Sequence, residues 1–273
     1  MTAVSSALLI GFHDGLMELV TPTANFTPAT GDFGLANLKD SRLFHRCRTP
    51  DLTTDRQLTW DMGAAVQFNV FALMGSNATT AATRRFRAAD DSGFTTGVVE
   101  SGGSLAAAFD TSLGSLLTYA PPWGRTLIYV HSADVTKRYI RWHQTDSGNA
   151  DGFQEWGIAR VGLGWQPGIT FDHSWRSANP IEGDPGAQKI RRGRELTLHR
   201  LLLAEVTKVE SLVRGILGTR RVLIIPEPLA PATWLSEALW CVIEGDVDVR
   251  PVPGSSPTKR YFTVTITFRE VDE

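Results

Sequence analysis

Residues 58–77 read LTWDMGAAVQFNVFALMGSN, and this stretch decides the fold class. Its centre, Phe68-Asn69-Val70-Phe71-Ala72-Leu73-Met74, is apolar on both faces and stops at the turn residues Gly75-Ser76-Asn77. A short run of that kind suits a strand in the middle of a β-sandwich. Upstream, Leu58-Thr59-Trp60 predicts a shorter strand that closes on a turn at Asp61-Met62-Gly63. Downstream, Thr126-Leu127-Ile128-Tyr129-Val130 and Arg138-Tyr139-Ile140-Arg141-Trp142 predict further strands. In the second, Ile140 points one way while Tyr139 and Arg141 point the other. Residues 156–163 continue the pattern. Between the strands, the Gly/Ser/Ala-rich stretch 90–108 and the polar turn 145–152 (TDSGNADG) predict surface loops. Many short strands and no long helix point to an antiparallel β-sandwich, or jelly roll, over residues 1–167.

The character changes after Gly164. A strand-like Ile169-Thr170-Phe171 is followed by a Pro/Gly/charge-rich loop, 179–194. One helix is expected at about 202–217, where Val206, Val209, Val213 and Ile216 share a face and Gly218 stands at the C-terminal αL position. Then come Val222-Leu223-Ile224-Ile225 and Trp240-Cys241-Val242-Ile243. The last strand is the clearest: Phe262, Val264, Ile266 and Phe268 alternate with Thr263, Thr265 and Thr267. The chain is therefore expected to be mainly β, a jelly roll (1–167) plus a smaller β domain carrying one α-helix (168–273).

Composition narrows the function classes. With 42% hydrophobic residues in 273, the chain can bury a sizeable core, which excludes disorder. A net charge of -2 argues against direct nucleic-acid recognition through an overall positive field. Cys47 and Cys241 are far apart with no Cys/His spacing, so neither a disulfide scaffold nor a structural zinc site is expected. No stretch approaches the roughly 20 apolar residues of a membrane span. The N-terminus carries no basic export signal, so a soluble product folded in the cytoplasm is expected.

Candidate chemistry is sparse. His13-Asp14 and the single histidines His45, His131, His143, His173 and His199 show no ligand spacing. Neither a GxSxG serine nor a phosphate-binding loop occurs, and Gly162-Leu163-Gly164 lacks the third glycine of a dinucleotide site. The carboxylates Asp90-Asp91 and Asp246/Asp248 sit among turn residues, where Asx-turns explain them. No catalytic residue, metal site or cofactor is therefore expected, and the chain is read as a binding or structural protein. Trp60, Trp142 and Trp156 lie on strand patterns and read as core. Trp123, in Pro121-Pro122-Trp123-Gly124, is the candidate contact for a carbohydrate or a partner. Lys189, Arg191, Arg192 and Arg194 form a basic loop and a candidate subunit interface. The 27 basic residues include only five lysines, and arginine is the cation that interfaces favour.

Several stretches resemble the discoidin-type, galactose-binding-like jelly rolls of tailed-bacteriophage virion proteins. They are Ala36-Asn37-Leu38-Lys39-Asp40, Arg46-Cys47-Arg48, 58–63, 71–77, 137–142, 158–164 and 167–172. Residues 202–270 resemble the tube-building β domain of distal tail and tail-tip proteins. The resemblance implies a non-enzymatic structural protein of the phage tail tip or baseplate. Such a protein forms a homo-hexameric ring joining the tail tube protein to the hub or fibre proteins, in a virion assembled in the host cytoplasm. The alternative it implies is a carbohydrate-binding, receptor-recognition module that contacts host surface glycan. The chain lacks the cysteine pair of secreted discoidin domains.

Overall fold

The computed structural model describes residues 9–11, 20–40, 45–52, 55–79, 81–101, 116–119, 125–164, 172–177, 192–207, 210, 222–225, 239–253 and 260–270. The chain is mainly β with antiparallel sheets, as expected, and divides into two compact units.

The larger unit is a jelly-roll β-sandwich whose spine is one pair of strands. β4 (Arg56–Ser76) and β8 (Arg125–Thr145) are each 21 residues long and pair antiparallel along almost their whole length. The seven-stranded sheet runs β10 (Ile158–Gly162), β4, β8, β5 (Thr83–Ala89), β6 (Val99–Glu100). β2 (Thr23–Ala24) adds to β4 and β7 (Leu116–Tyr119) adds to β8. A two-stranded ladder, β3 (Cys47–Arg48) with β9 (Glu155–Trp156), and the 3-10 turn Leu35–Lys39 supply residues to the same core.

Asp61-Met62-Gly63 is not the turn its composition suggests. The strand continues through it as a bulge, where the register shifts between Asp61 and Val66. Gly63 takes φ +75°, which a side-chain-bearing residue adopts only at a cost. Arg138 on β8 grips Asp61 with two bonds, Nε to Oδ1 at 2.7 Å and Nη2 to Oδ2 at 2.9 Å. This bidentate pair holds the Asp61 carboxyl down at about 2 and fixes the strand alignment across the bulge. The separate strands expected at 126–130 and 138–142 are likewise one strand, β8.

Alternation on these strands sends Trp60, Phe71, Phe86, Tyr129 and Trp142 into one core, all fully buried. Phe71 stacks on Trp142 at 5.6 Å and meets Trp60 at 5.7 Å, and Phe86 stacks on Tyr129 at 4.3 Å. Such pairs each contribute about 0.5–1.5 kcal/mol beyond the burial of their area. Gln144 Oε1 accepts from both Trp142 Nε1 (3.3 Å) and Trp156 Nε1 (3.1 Å), satisfying two buried indole donors with one acceptor. The 145–152 turn lies at the surface as expected, with Ser147, Gly148, Ala150, Asp151 and Gly152 exposed, and two buried side chains, Asp146 and Asn149, pin it from beneath. Asp146 is buried and accepts from Thr79 N and Thr79 Oγ1 at 2.8 and 2.6 Å.

The second unit is a six-stranded sheet, β1 (Leu9–Gly11), β13 (Val222–Ile225), β14 (Leu239–Pro251), β15 (Tyr261–Glu270), β12 (Arg192–Leu202), β11 (Asp172–Ser177). Two findings here correct the sequence reading. Leu9–Gly11, placed with the jelly roll by the 1–167 division, pairs with β13 instead. Arg192 and Arg194 belong to strand β12, opposite Ser177 and Trp175, and not to a loop. β12 was hidden because its charged and apolar residues do not alternate cleanly. The helix begins after it, at residues 203–207 and 210, with Val206 buried as its spacing requires. Asp246 and Asp248 lie within β14.

Burial pushes the Cys47 thiol, with Glu155 nearby, up to about 12, and burial beside Glu100 raises the Tyr129 phenol to about 12. Both groups stay protonated in the folded chain while their unfolded counterparts ionise from about pH 9 and 10 upward. Stability is therefore full below pH 9 and falls as pH rises toward 12. Urea-denaturation midpoints measured between pH 8 and 12 are expected to fall steadily, and less steeply in Cys47→Ala.

Candidate functional site

Residues 31–40 and 45–48 enclose a cavity of about 260 Å³, lined by Asp32, Gly34, Asn37 and His45. Gly31 takes φ +95°, and the 3-10 turn Leu35–Lys39 carries Asn37 into the wall. Leu38 on the same turn is buried in the sandwich core, which anchors the turn from beneath.

Every wall is tied to the body of the sandwich. Asn37 Nδ2 donates to Asp32 O (2.5 Å) and Arg46 O (2.9 Å), bracing the two sides of the cavity. The buried Arg160 on β10 donates to the backbone carbonyls of Lys39 (3.4 Å) and Asp40 (3.2 Å). Arg46 Nη1 donates to Gly75 O at the end of β4 (2.8 Å), and Arg46 Nε contacts Glu155 at 3.1 Å. Arg48 lies flat between two aromatic rings, Phe33 at 3.8 Å and Phe153 at 4.0 Å, with Glu155 bonded to its Nε at 2.9 Å. Cation–π contacts of this kind are worth about 0.5–2 kcal/mol each. The result is a polar cavity whose shape is set before any ligand arrives.

His45 Nδ1 sits 2.8 Å from Asp40 Oδ2. A carboxylate only accepts, so His45 donates to it through Nδ1. Asp32 is exposed at the rim and offers carboxylate acceptors there. The lining matches a ligand bearing several hydroxyls, each of which both donates and accepts. Its volume lies just under the roughly 300–1,000 Å³ of pockets that enclose drug-sized ligands, which suits a unit the size of one sugar ring.

None of the residues singled out from the sequence as contacts lines this cavity. Trp123, Lys189 and Arg191 lie outside the described residues, as does His13-Asp14; Arg192 and Arg194 are in β12. Among the described residues no group of three or more His, Cys, Asp or Glu converges as a metal site. Asp91 is used in turns, accepting from the backbone N–H of Gly93, Thr95 and Thr96. Part of the arginine excess is used within the chain: Arg46, Arg48, Arg56, Arg85, Arg87 and Arg138 each reach a carboxylate of the same chain. His45, a single histidine without ligand spacing, and Asn37, quoted only within the Ala36–Asp40 stretch, carry no local signal that the fold brings them to one cavity.

No family model matches the sequence, and no curated protein matches it. Solved structures similar to it include chitosan-binding module 1 of a chitosanase/glucanase from Paenibacillus sp. IK-5, at 18% identity and TM-score 0.39, covering 55% of this chain and 98% of that one. A CBM32 module from Clostridium perfringens, in complex with GalNAc-β-1,3-galactose, has 13% identity and TM-score 0.38, covering 54% of this chain and 96% of that one. A GH29 fucosidase from Ruminococcus gnavus, in complex with fucose, has 11% identity and TM-score 0.38, covering 56% of this chain and 27% of that one. Likeness at these scores carries no functional weight.

Glu155 is the keystone of the cavity's support, because two guanidinium groups converge on it in a poorly hydrated place. Glu155→Ala removes the shared carboxylate of two part-buried guanidinium groups, and losing a hydrogen bond to a charged group costs about 1.5–3 kcal/mol. Urea unfolding should show a loss of that order, and Arg48→Ala less, since a carboxylate with a remaining partner is the smaller penalty.

Proposed function

We propose that the sandwich unit is a non-catalytic carbohydrate-binding, receptor-recognition module, with the Asp32/Asn37/His45 cavity as its glycan site. One observation carries the reading: a small polar cavity is braced by Asn37, by the part-buried Arg46 and by the buried Arg160 instead of being left to close around its ligand. Preorganisation of that kind is what weak, polar sugar recognition needs, because little apolar burial is available to offset ordering. On a glycan array the full chain is expected to bind neutral hexose-containing glycans. Titration calorimetry should then show His45→Ala and Asp32→Asn weaker by about 10- to 100-fold, the equivalent of one hydrogen bond to a charged or polar partner. No binding to any neutral glycan, or variants that bind like the wild type, would overturn the assignment.

A second reading concerns the other unit: that it is a structural subunit of a phage tail tip, forming a homo-hexameric ring between the tail tube protein and the hub or fibre proteins. The observation favouring it is connectivity. The six-stranded sheet takes β1 from before the sandwich and its remaining strands from after it, so the sandwich is an insertion carried by that unit. A carrier that displays a recognition module is the arrangement a virion receptor-binding subunit requires. Purified chain is expected to sediment as a closed ring with ring-shaped particles in negative stain; a strictly monomeric species at tens of micromolar would remove this reading.

A further inference from the structure

On the sheet face turned away from the aromatic core, two cross-strand rows lie side by side. One is Gln57–His143–Arg85 and the other is Thr59–Arg141–Arg87, drawn from β4, β8 and β5. Directly opposed residues bring their Cβ atoms to about 4.5–5.5 Å, so three guanidinium groups share one small patch. Their only contacting carboxylate among the described residues is Glu100, hydrogen-bonded to Arg85 Nη2 at 2.5 Å and in ion-pair contact with Arg87 Nε at 3.1 Å. The next cations along β8 are matched one to one, Lys137 with Asp90 and Arg138 with Asp61. The imbalance falls on Arg141. Its Nε donates to Thr59 Oγ1 at 3.0 Å, its Nη2 donates to Ser92 O at 3.5 Å, and its guanidinium carbon lies 3.9 Å over the Phe94 ring, with no carboxylate in contact among the described residues.

Like charges opposite one another destabilise a sheet, so this pairing works against the fold. The cost is visible locally. Burial, and then Arg87, lowers the affinity of Arg141 for its proton. Burial also lowers His143, opposed by Asp55 at 3.8 Å and reinforced by Arg141, Arg85 and Arg87, which keeps the ring neutral at neutral pH. Phe94, which floors Arg141 and whose carbonyl accepts from Arg87 Nη2 at 2.9 Å, is buried with φ +57°, the sole positive φ of a non-glycine residue among those described. A bulky residue in that region is strained. Asp91 holds the strain in place by capping the N–H groups of Gly93, Thr95 and Thr96.

We infer that this face is a second, anion-specific binding site, at which Arg141 and Arg87 receive the carboxylate or sulfate of an acidic glycan while Thr59, Gln57 and His143 meet its hydroxyls. Charge complementarity selects the anion, and the planar fork of arginine favours a carboxylate or sulfate over a lone halide. The mixed polar rows favour a sugar acid over nucleic acid, which calls for stacked aromatics and an overall positive chain. This site is independent of the proposed cavity at Asp32/Asn37/His45, and either can fail without the other.

The test is affinity electrophoresis of the full chain through gels containing polygalacturonate, heparin or neutral dextran. Wild type should be retarded by polygalacturonate or heparin and not by dextran, less so as salt rises. The polymer that retards more strongly identifies carboxylate or sulfate as the group bound. Arg141→Gln should weaken retardation about tenfold and the Arg87→Gln/Arg141→Gln pair further, while Arg141→Lys, which keeps charge without the fork, should fall between. Arg250→Gln, the same charge change at an exposed residue paired with Asp248, should leave it unchanged. Circular dichroism melts check folding, and Arg141→Lys carries the comparison if the Gln variant melts early. No retardation of wild type, equal loss in Arg250→Gln and Arg141→Gln, or binding of a single-stranded oligonucleotide as tight as the acidic glycan would each overturn the inference.

Discussion

The ladder between β4 and β8 is the constraint on which the sandwich unit depends. Two strands of 21 residues cannot stay flat and in register over such a length without correction. The correction is the bulge at Asp61–Val66, fixed by the Arg138 fork and by the left-handed Gly63. Register then decides everything on either face. With the register shifts in place, one face carries Trp60, Phe71 and Trp142 inward, and the other carries Thr59, Arg141 and His143. A one-residue slip would bury the guanidinium groups and expose the indoles.

Buried polar groups extend that spine to the rest of the unit. Gln144 couples β8 to the short β3/β9 ladder through the Trp156 indole, and Glu155, the neighbouring residue, couples that ladder to the Gly31–Arg48 segment. Arg160 reaches the same segment from β10. The cavity is thus supported from two strands whose position is set by the same sheet. In a low-dielectric interior such networks are strong when complete, and removing any one member leaves others unsatisfied.

Much of this was legible in the residues. Strict alternation fixed β15, and the two-faced apolar run 68–74 fixed the middle of β4. The core roles of Trp60, Trp142 and Trp156 followed from strand position alone. What escaped has a physical cause in each case. A bulge and a turn share the same residues, so Asp61-Met62-Gly63 was ambiguous until its partner strand was known. The charge-rich β12 was masked because its stability derives from neighbours on both sides, β11 and β15, not from its own pattern. The cavity and the arginine face escaped because both are products of long-range pairing. Arg85-Phe86-Arg87 and Arg141-Trp142-His143 each show their alternation plainly, but nothing local says that the two segments lie opposite one another.

The place of β1 has a consequence for how the protein is made. Leu9 leaves the ribosome early, yet its partner Ile225 follows only after nearly the whole chain. At about 5–20 residues per second, β1 waits on the order of ten seconds or more for its neighbour. The sandwich strands emerge complete in that interval and require nothing from either end of the chain. Synthesis therefore imposes an order: the inserted unit is available to fold while its carrier still lacks most of its strands, and closure of the carrier sheet is the last event. An early-exposed apolar strand, Leu9–Gly11, is the hazard that this order creates.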